Sequence, residues 1–534
     1  MATSEIRVLE LLRAGDLVEA ARLSAQAIGG GAIHPLFFDA RGAWLQRCGQ
    51  FEAALADFAR AGELAPANPG APVSMARCLM PLGRFDEAMA CCDRAIAMAP
   101  RMAAAHFEKG CAAEFLGDLN LARRCHQKAV ALEPRYAPPL ARLAALAARH
   151  GDNAQAHALA RKALAIAPDN ETALIAEAEA DFGDGHLQGL AGKLDDVAGR
   201  ADLDANTRAH ALSLKGDVLD AQDETKAAFE AYRAANHTLL AAHQPRFAGI
   251  APGPERMAAL MQEFGTIAAG RWQEHRPGPA VCAGHVFVLG FYRTGTTLLG
   301  QILAAHPAVT TLEEKPLLID AATEFLERPG GLTRLAELSE AEADRFRELY
   351  WQRARKSEPA IAGKCVVDKQ PMNSVVLPVI ARLFPDAGIL FAVRDPRDVV
   401  FSCFRRLLEV NPATIEMLSL ERGAAFYASV MDLAARYRRV LPLRILDVPN
   451  EAISADFEGE VRRICGFLGL GWKDSLATFA QQSKSRSIAT PSARQVARGI
   501  NRAGIGQWRR YREQMACVLP VLEPWVRRFG YDAD

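Results

Sequence analysis

The spacing of apolar residues along the chain changes near residue 281. The N-terminal half shows the spacing of paired helices, with small residues at regular intervals. From about residue 281, short β-rich runs alternate with helical ones: HVFVLG precedes TLLGQILAAH, CVVDK precedes VVLPVIARLF, and GILFAV precedes DVVFSCFRRLLEV. Strand–helix alternation predicts a mainly parallel sheet covered by helices. The pattern thus predicts an all-α N-terminal solenoid followed by an α/β domain.

A repeat with a period of 34 residues runs through the N-terminal half. Three sets of residues keep this period: the glycines Gly49, Gly83, Gly117 and Gly151; the prolines Pro66, Pro100, Pro134 and Pro168; and the alanines Ala54, Ala88, Ala122 and Ala156. Glycine suits the turn between two helices, alanine lets the helices approach closely, and proline ends the second helix. The pattern, strongest over residues 35–168, resembles tetratricopeptide repeats.

These patterns divide the chain into three predicted regions. Residues 1–240 are predicted to form one helical solenoid, because irregular copies of the repeat extend to both sides of the clear ones. Residues 241–280, which are rich in proline and glycine, are predicted to be a linker around one helix. Residues 281–534 are the predicted α/β domain. The solenoid is expected to bind a protein or peptide, and a structural or oligomerising role is the alternative.

Composition and charge exclude several classes of protein. The formal net charge is zero, so nothing global predicts nucleic-acid binding. No run of 18 or more apolar residues predicts a membrane span, and the acidic N-terminal stretch does not resemble a secretory signal. The eleven cysteines include no C-x-x-C pair, which favours reduced thiols in a cytoplasmic protein and predicts no metal site.

The stretch GFYRTGTTLL, residues 290–299, lies between a predicted strand and a predicted helix. Its glycine spacing is typical of phosphate-binding loops, but Thr296 occupies the position of the lysine that reaches a nucleotide triphosphate. Backbone N–H groups at a helix start bind anions, and arginine adds a forked cation. The predicted ligands of one phosphate group are Arg293, Thr294, Gly295, Thr296 and Thr297.

A second candidate anion site follows the predicted strand GILFAV. Arg394 ends that strand, Ser402 lies eight residues further on, and Arg406 follows Ser402 by four residues. Residues four apart share a helix face, so all three side chains could surround one phosphate. Without further context, an arginine-rich helix start is more commonly a solvated surface.

Residues 281–534 contain four motifs, YRTGTT, FAVRDPRDVVFS, VVDKQPMN and AAHPAVTTLEE. Together these motifs resemble those of the sulfotransferases that use 3′-phosphoadenosine 5′-phosphosulfate (PAPS). The resemblance is greatest to bacterial sulfotransferases with tetratricopeptide repeats and to tyrosyl-protein sulfotransferases. It implies that the loop holds the 5′-phosphosulfate of PAPS and that Arg394, Ser402 and Arg406 hold its 3′-phosphate.

The resemblance also implies catalytic roles. Glu314 corresponds to the base that deprotonates the acceptor, with the adjacent Glu313 as its rival. Lys369 corresponds to the lysine near the bridging oxygen, and Arg293 is expected to help neutralise the transferring sulfonate. The basic stretch 483–512 resembles a segment that closes over the nucleotide, with Ser492 as a further nucleotide ligand. No metal is required.

Two departures from the family pattern put the adenine contacts in doubt: Gln507 replaces a basic residue and Ile445 replaces a tyrosine. The acceptor is left open, as a hydroxyl or amine that the solenoid could recruit on a protein or peptide. Two alternatives to an active sulfotransferase are an inactive scaffold with a sulfotransferase-like domain and a P-loop kinase or NTPase.

Overall fold

The computed structural model of the protein describes residues 2–272, 276–278, 280–483 and 504–532. The chain divides into two compact units, Met1–His186 and Leu187–Asp534. Among the helices of the described residues, none is both long and apolar enough to cross a membrane.

The first unit is built from helices joined by tight turns. Helices α1 to α11 span Ala2–Arg13, Leu17–Gly29, Pro35–Arg47, Phe51–Leu64, Gly70–Leu79, Phe85–Met98, Ala103–Phe115, Leu119–Leu132, Ala137–His150, Asn153–Ile166 and Glu171–Asp184. The periodic glycines have φ angles of 74° to 79°, a left-handed conformation in which only glycine is free of strain. The periodic alanines are fully buried between helices. The helical solenoid is therefore confirmed for this unit.

Among the described residues, the second unit begins with four α-helices that precede the sheet. They are α12 (Leu190–Ala198), α13 (Ala205–Ala221), α14 (Thr225–His243) and α15 (Gly253–Thr266). We call α13 and α14 the 205–243 hairpin. The boundary predicted near residue 240 falls at the end of this hairpin, inside the second unit.

Packing explains why the hairpin belongs to the second unit. Asn236 Nδ2 donates to the backbone oxygen of Phe404 at 2.7 Å, and the rings of Phe229 and Phe404 stack at 5.1 Å. The predicted linker also contributes to the core of this unit, because Met257 and Phe264 of α15 are buried there.

A five-stranded parallel sheet forms the centre of the second unit. Its strands are β1 (Gly284–Leu289), β2 (Val309–Glu313), β3 (Cys365–Lys369), β4 (Gly388–Val393) and β5 (Arg444–Pro449), in the order β2-β3-β1-β4-β5. The predicted parallel sheet is thus confirmed. Because all five strands point the same way, the residues that follow β1, β2, β3 and β4 meet at one edge, where such sheets bind ligands.

Helices cover both faces of the sheet. They are α16 (Thr296–Ala304), α17 (Ile319–Leu326), α18 (Gly331–Ala336), α19 (Glu340–Ser357), α20 (Leu377–Leu383), α21 (Pro396–Arg405), α22 (Leu420–Val440), α23 (Asn450–Ala455), α24 (Phe457–Leu468), α25 (Phe479–Ser483), α26 (Arg512–Met515) and α27 (Leu519–Arg528). Alternate residues of β1 point into two hydrophobic cores: Val286 and Val288 into one, and Phe287 and Leu289 into the other.

Candidate active site

The loop between β1 and α16 turns sharply and then opens the helix. Arg293 and Gly295 both have positive φ angles, of 64° and 100°. The Thr294 hydroxyl donates to the backbone oxygen of Phe291 at 2.7 Å, which fixes the turn from inside. A side chain at Gly295 would overlap Asn450 Oδ1, so this position needs glycine for space as well as for conformation.

Helix α16 begins at this turn with its first residues buried. Gly295 is the N-cap residue and has no side chain to satisfy the first backbone N–H groups of the helix. Thr296 and Thr297 follow, and both are buried. The start of α16 therefore combines backbone donors with hydroxyl groups, as the sequence predicted for an anion site.

Lys369 lies at the centre of the same sheet edge. It ends β3, is fully buried, and pairs in register with Glu313 at the end of β2. Its Nζ lies 2.9 Å from Glu313 Oε2 and 2.5 Å from Glu314 Oε1. A buried lysine needs a partner to offset the cost of desolvation, and here two carboxylates share that role.

The two glutamates are held differently. Glu313 Oε1 accepts a hydrogen bond from Gln301 Nε2 of α16 at 2.9 Å, so both of its oxygens face protein groups. Glu314 has a positive φ of 49°, and its N–H donates to the backbone oxygen of Lys369 at 2.8 Å. Its side chain is 39% exposed, against 27% for Glu313. Of the two carboxylates, Glu314 is the one more open to an incoming molecule.

Arginines from two elements converge beside the loop. Arg293 Nε donates to Ser402 Oγ of α21 at 3.1 Å, and Arg394 Nη1 donates to the backbone oxygen of Arg293 at 3.1 Å. Burial lowers the pKa of Arg293 to about 10, and repulsion from Arg406, Arg394 and Arg405 contributes. Arg394 Nε is buried, and the described residues offer it no acceptor. Like charges held this close, with a buried donor to spare, fit a bound anion.

Sequence models of two protein families match parts of the two units. Residues 285–474 match the sequence model of the sulfotransferase family, and residues 48–106 and 103–136 match models of the tetratricopeptide repeat. The chain carries tetratricopeptide repeats and a sulfotransferase domain. The resemblance inferred from the four motifs and the 34-residue period is therefore confirmed.

Several relatives each match slightly less than half of this chain. Protein-tyrosine sulfotransferase A of Caenorhabditis elegans is 24% identical over 263 residues, 47% of this chain and 67% of that protein. Protein-tyrosine sulfotransferase 2 of Gallus gallus is 26% identical over 269 residues, 46% of this chain and 69% of that protein. An uncharacterized protein of Aquifex aeolicus (strain VF5) is 25% identical over 255 residues, 46% of this chain. The match spans only 33% of the Aquifex protein.

Arg406 of the sulfotransferase domain contacts a residue outside the predicted site. It directly follows α21, and its Nη1 donates to Asp217 Oδ2 of α13 at 2.6 Å. It lies near enough to Arg293 to lower the pKa of that group, although the sequence assigned the two arginines to separate sites. Asp217 could not be predicted as a partner of Arg406, because the two residues lie 189 positions apart in the sequence.

The C-terminal segment returns to the sulfotransferase domain at residues 504–511. The N–H groups of Gly506 and Trp508 donate to the two oxygens of Asp398 at 2.6 and 3.0 Å. Gln507 Oε1 accepts a hydrogen bond from Arg405 Nη1 at 2.8 Å. Gln507, noted as a departure from the family, thus helps to fix this segment, whereas Ser492 lies outside the described residues.

Two further points of the sequence analysis concern Ile445 and metal ligands. Ile445 lies in β5, in register with Ile389 of β4, and packs against the hydrophobic core. In the described parts of the chain, no group of three or more His, Cys, Asp or Glu side chains is arranged to hold a metal ion.

A buried polar chain lies behind Lys369. The Tyr350 hydroxyl donates to Asp368 Oδ2 at 3.1 Å and lies 2.8 Å from His285 Nε2. Burial raises the pKa of Asp368 to about 7 and lowers the pKa of His285 to about 3. Both effects favour the neutral form, so the side chains of Asp368 and His285 are both uncharged over part of the acidic pH range.

Proposed function

We propose that this protein transfers a sulfuryl group from PAPS to a hydroxyl or amine acceptor. The observation that carries the proposal is the pairing of two cationic sites at one sheet edge. The first site is the lysine-free loop that opens α16. The second comprises Arg394 and Arg406, which lower the pKa of Arg293, together with Ser402, which accepts a hydrogen bond from Arg293. A molecule with a 5′-phosphosulfate and a separate 3′-phosphate has the anionic groups that such a pair of sites would bind.

The residues present fit this donor. The start of α16, Arg293, Thr296 and Thr297 would hold the 5′-phosphosulfate through backbone donors, hydroxyls and a guanidinium. Arg394, with a buried Nε that lacks an acceptor among the described residues, would hold the 3′-phosphate. PAPS supplies an activated sulfuryl group and a phosphate leaving group.

The residues around Lys369 have the groups that sulfuryl transfer needs. We assign Glu314 as the base that removes the proton from the acceptor, because it is the more exposed carboxylate of the pair. Lys369, a fully buried lysine at the end of β3, would stabilise negative charge that develops on the leaving oxygen. Glu313, held by Gln301 and Lys369, would keep the lysine in place.

We further propose that the acceptor is a protein or peptide and that the repeats recruit it. Two relatives named protein-tyrosine sulfotransferases support a tyrosine side chain as the candidate acceptor group. Helical repeat arrays offer extended surfaces for peptides. The cytoplasmic location expected from the sequence stays a prediction.

A thermal-shift experiment on the full chain tests the donor. Adenosine 3′,5′-bisphosphate at about 100 times its dissociation constant should stabilise the sulfotransferase domain by about 2.7 kcal/mol, a shift of a few degrees. ATP with magnesium should produce no comparable shift. A shift with ATP alone would instead support a kinase or NTPase, and no shift with either ligand would support an inactive scaffold.

A further inference from the structure

Acidic residues of the 205–243 hairpin face the arginines at the end of α21. Asp217 Oδ2 accepts from Arg406 Nη1 at 2.6 Å, and Asp217 Oδ1 lies 3.5 Å from Arg405 Nη2. Asp217 Oδ1 also accepts a hydrogen bond from the Tyr232 hydroxyl of α14 at 2.8 Å. Only 8% of Asp217 is exposed, so two hydrogen-bond donors and a further guanidinium surround a buried carboxylate.

A second acid of the hairpin holds the C-terminal segment. Asp220 Oδ1 accepts from Arg510 Nη1 at 2.8 Å and from the Tyr511 hydroxyl at 2.6 Å. Asp220 Oδ2 lies 3.6 Å from Arg405 Nη1, the group that also donates to Gln507. The hairpin thus touches two parts of the proposed donor site, the end of α21 and the segment 504–511.

From these contacts we infer that Asp217 is a positioning residue for donor binding, acting through Arg406. The inference rests on the proposed function. Arg406 and Arg293 repel each other, since Arg406 lowers the pKa of Arg293. A fixed negative charge beside Arg406 offsets part of this repulsion and restrains a long, flexible side chain. The hairpin is then a part of the 3′-phosphate site.

A competing role for Asp217, as a carboxylate that must release Arg406 before the phosphate binds, fits the contacts less well. A guanidinium has five N–H donors, and Asp217 receives one hydrogen bond from Arg406, through Nη1. Asp217 is also held by Tyr232 from the neighbouring helix, so its position does not depend on Arg406. Arg406 can therefore keep its contact with Asp217 while other N–H groups face an anion.

The test is a double-mutant cycle on the full chain, with PAPS as the ligand and its dissociation constant measured by calorimetry. The variants are Asp217→Asn, Arg406→Gln and both together. Asparagine retains an oxygen for Tyr232 but loses the charge. Glu230→Gln, which removes an exposed partner of Arg233 on the same hairpin, is the matched control.

We expect Asp217→Asn to weaken PAPS binding about tenfold, in line with the loss of a charge-assisted contact. In the Arg406→Gln background the same change should have little further effect, because Asp217 acts through Arg406. Glu230→Gln should bind like the parent protein. Equal losses in both backgrounds would indicate a general structural role, and tighter binding would indicate competition. Either result overturns the inference, whereas failure of the parent protein to bind PAPS would overturn the proposed function as well.

Discussion

Replacement of Asp368 by asparagine should change how the stability of the sulfotransferase domain depends on pH. Asp368 is buried, and its Oδ2 accepts a hydrogen bond from the Tyr350 hydroxyl at 3.1 Å. Burial raises its pKa from 3.8 to about 7. Asparagine keeps an oxygen for Tyr350 but cannot ionise, so the variant isolates the contribution of this one titration.

The magnitude follows from the two pKa values. Between pH 3.8 and about 7 the folded domain binds one proton more than the unfolded chain at this site, so stability falls as pH rises. Each pH unit costs about 1.4 kcal/mol per proton, and roughly three units give about 4 kcal/mol. The free energy of unfolding of Asp368→Asn, relative to that of the parent protein, should therefore increase by about 4 kcal/mol from pH 4 to pH 7. The free-energy cost of burying the amide does not depend on pH, so it changes the stability at pH 4 and at pH 7 by the same amount.

His285 makes the comparison with the parent protein necessary. Burial lowers its pKa from 6.5 to about 3, so the unfolded chain binds the extra proton between these values. Its contribution to stability therefore rises with pH while that of Asp368 falls, and the two nearly cancel between pH 4 and 6.5 in the parent protein. Asp368→Asn removes the contribution of Asp368 and leaves that of His285, so the effect of Asp368 appears as the difference between variant and parent protein.

Urea unfolding followed by tryptophan fluorescence, at several pH values from 4 to 7, measures the effect. The signal reports mainly on the second unit, because Trp44 is the one tryptophan of the first unit. Asp474→Asn, which removes an exposed carboxylate of the same unit, is the control. A stability difference between Asp368→Asn and the parent protein that stays constant from pH 4 to 7 would refute the reasoning.

Three further predictions concern the site. Glu314→Gln should lower turnover by about 10²–10⁴ and leave the dissociation constant of adenosine 3′,5′-bisphosphate unchanged, whereas Glu313→Gln should lower turnover less; equal losses would count against Glu314 as the base. Arg394→Ala should weaken binding of the bisphosphate about tenfold or more in calorimetry, and unchanged binding would exclude it as a ligand. Gly295→Ala should abolish donor binding and lower the melting temperature, because the new methyl group would overlap Asn450 Oδ1 and the φ of 100° is strained for alanine; normal binding would contradict the close approach.

The repeat and the sheet were predictable because their signals are local or strictly periodic. A positive φ at Gly49, and the same at each 34-residue step, follows from the turn that every repeat needs. Each strand of the sheet is a short apolar run followed by a helical pattern, so its type could be read from ten to twenty neighbouring residues. The candidate residues Arg293, Lys369 and Arg394 lie at strand ends, where a parallel sheet brings them together.

Contacts between distant parts of the chain were not predictable in this way. Asp217 is an ordinary acidic residue of a helix, and nothing near it in sequence indicates that it pairs with Arg406. The ion pair of Glu313 with Lys369 depends on the register of β2 and β3, which the sequence pattern does not specify. The hairpin continues the helical pattern of the repeats, so the spacing of its residues did not indicate that it packs against α21.

The position of the hairpin leads to a prediction about fragments. A fragment of residues 187–534 should unfold cooperatively, whereas one of residues 241–534 should not. The shorter fragment loses the hydrogen bond of Asn236 to the Phe404 oxygen and leaves Arg405 and Arg406 without Asp217. It also exposes apolar side chains that the hairpin covers, among them Phe404, Ile415 and Leu418. Exposing a large apolar side chain costs about 1.5–3 kcal/mol, so the sum is a large part of the roughly 5–15 kcal/mol that stabilises a typical domain. Thermal unfolding of both fragments by circular dichroism decides the matter, and equal melting temperatures would show that the hairpin is dispensable for the fold.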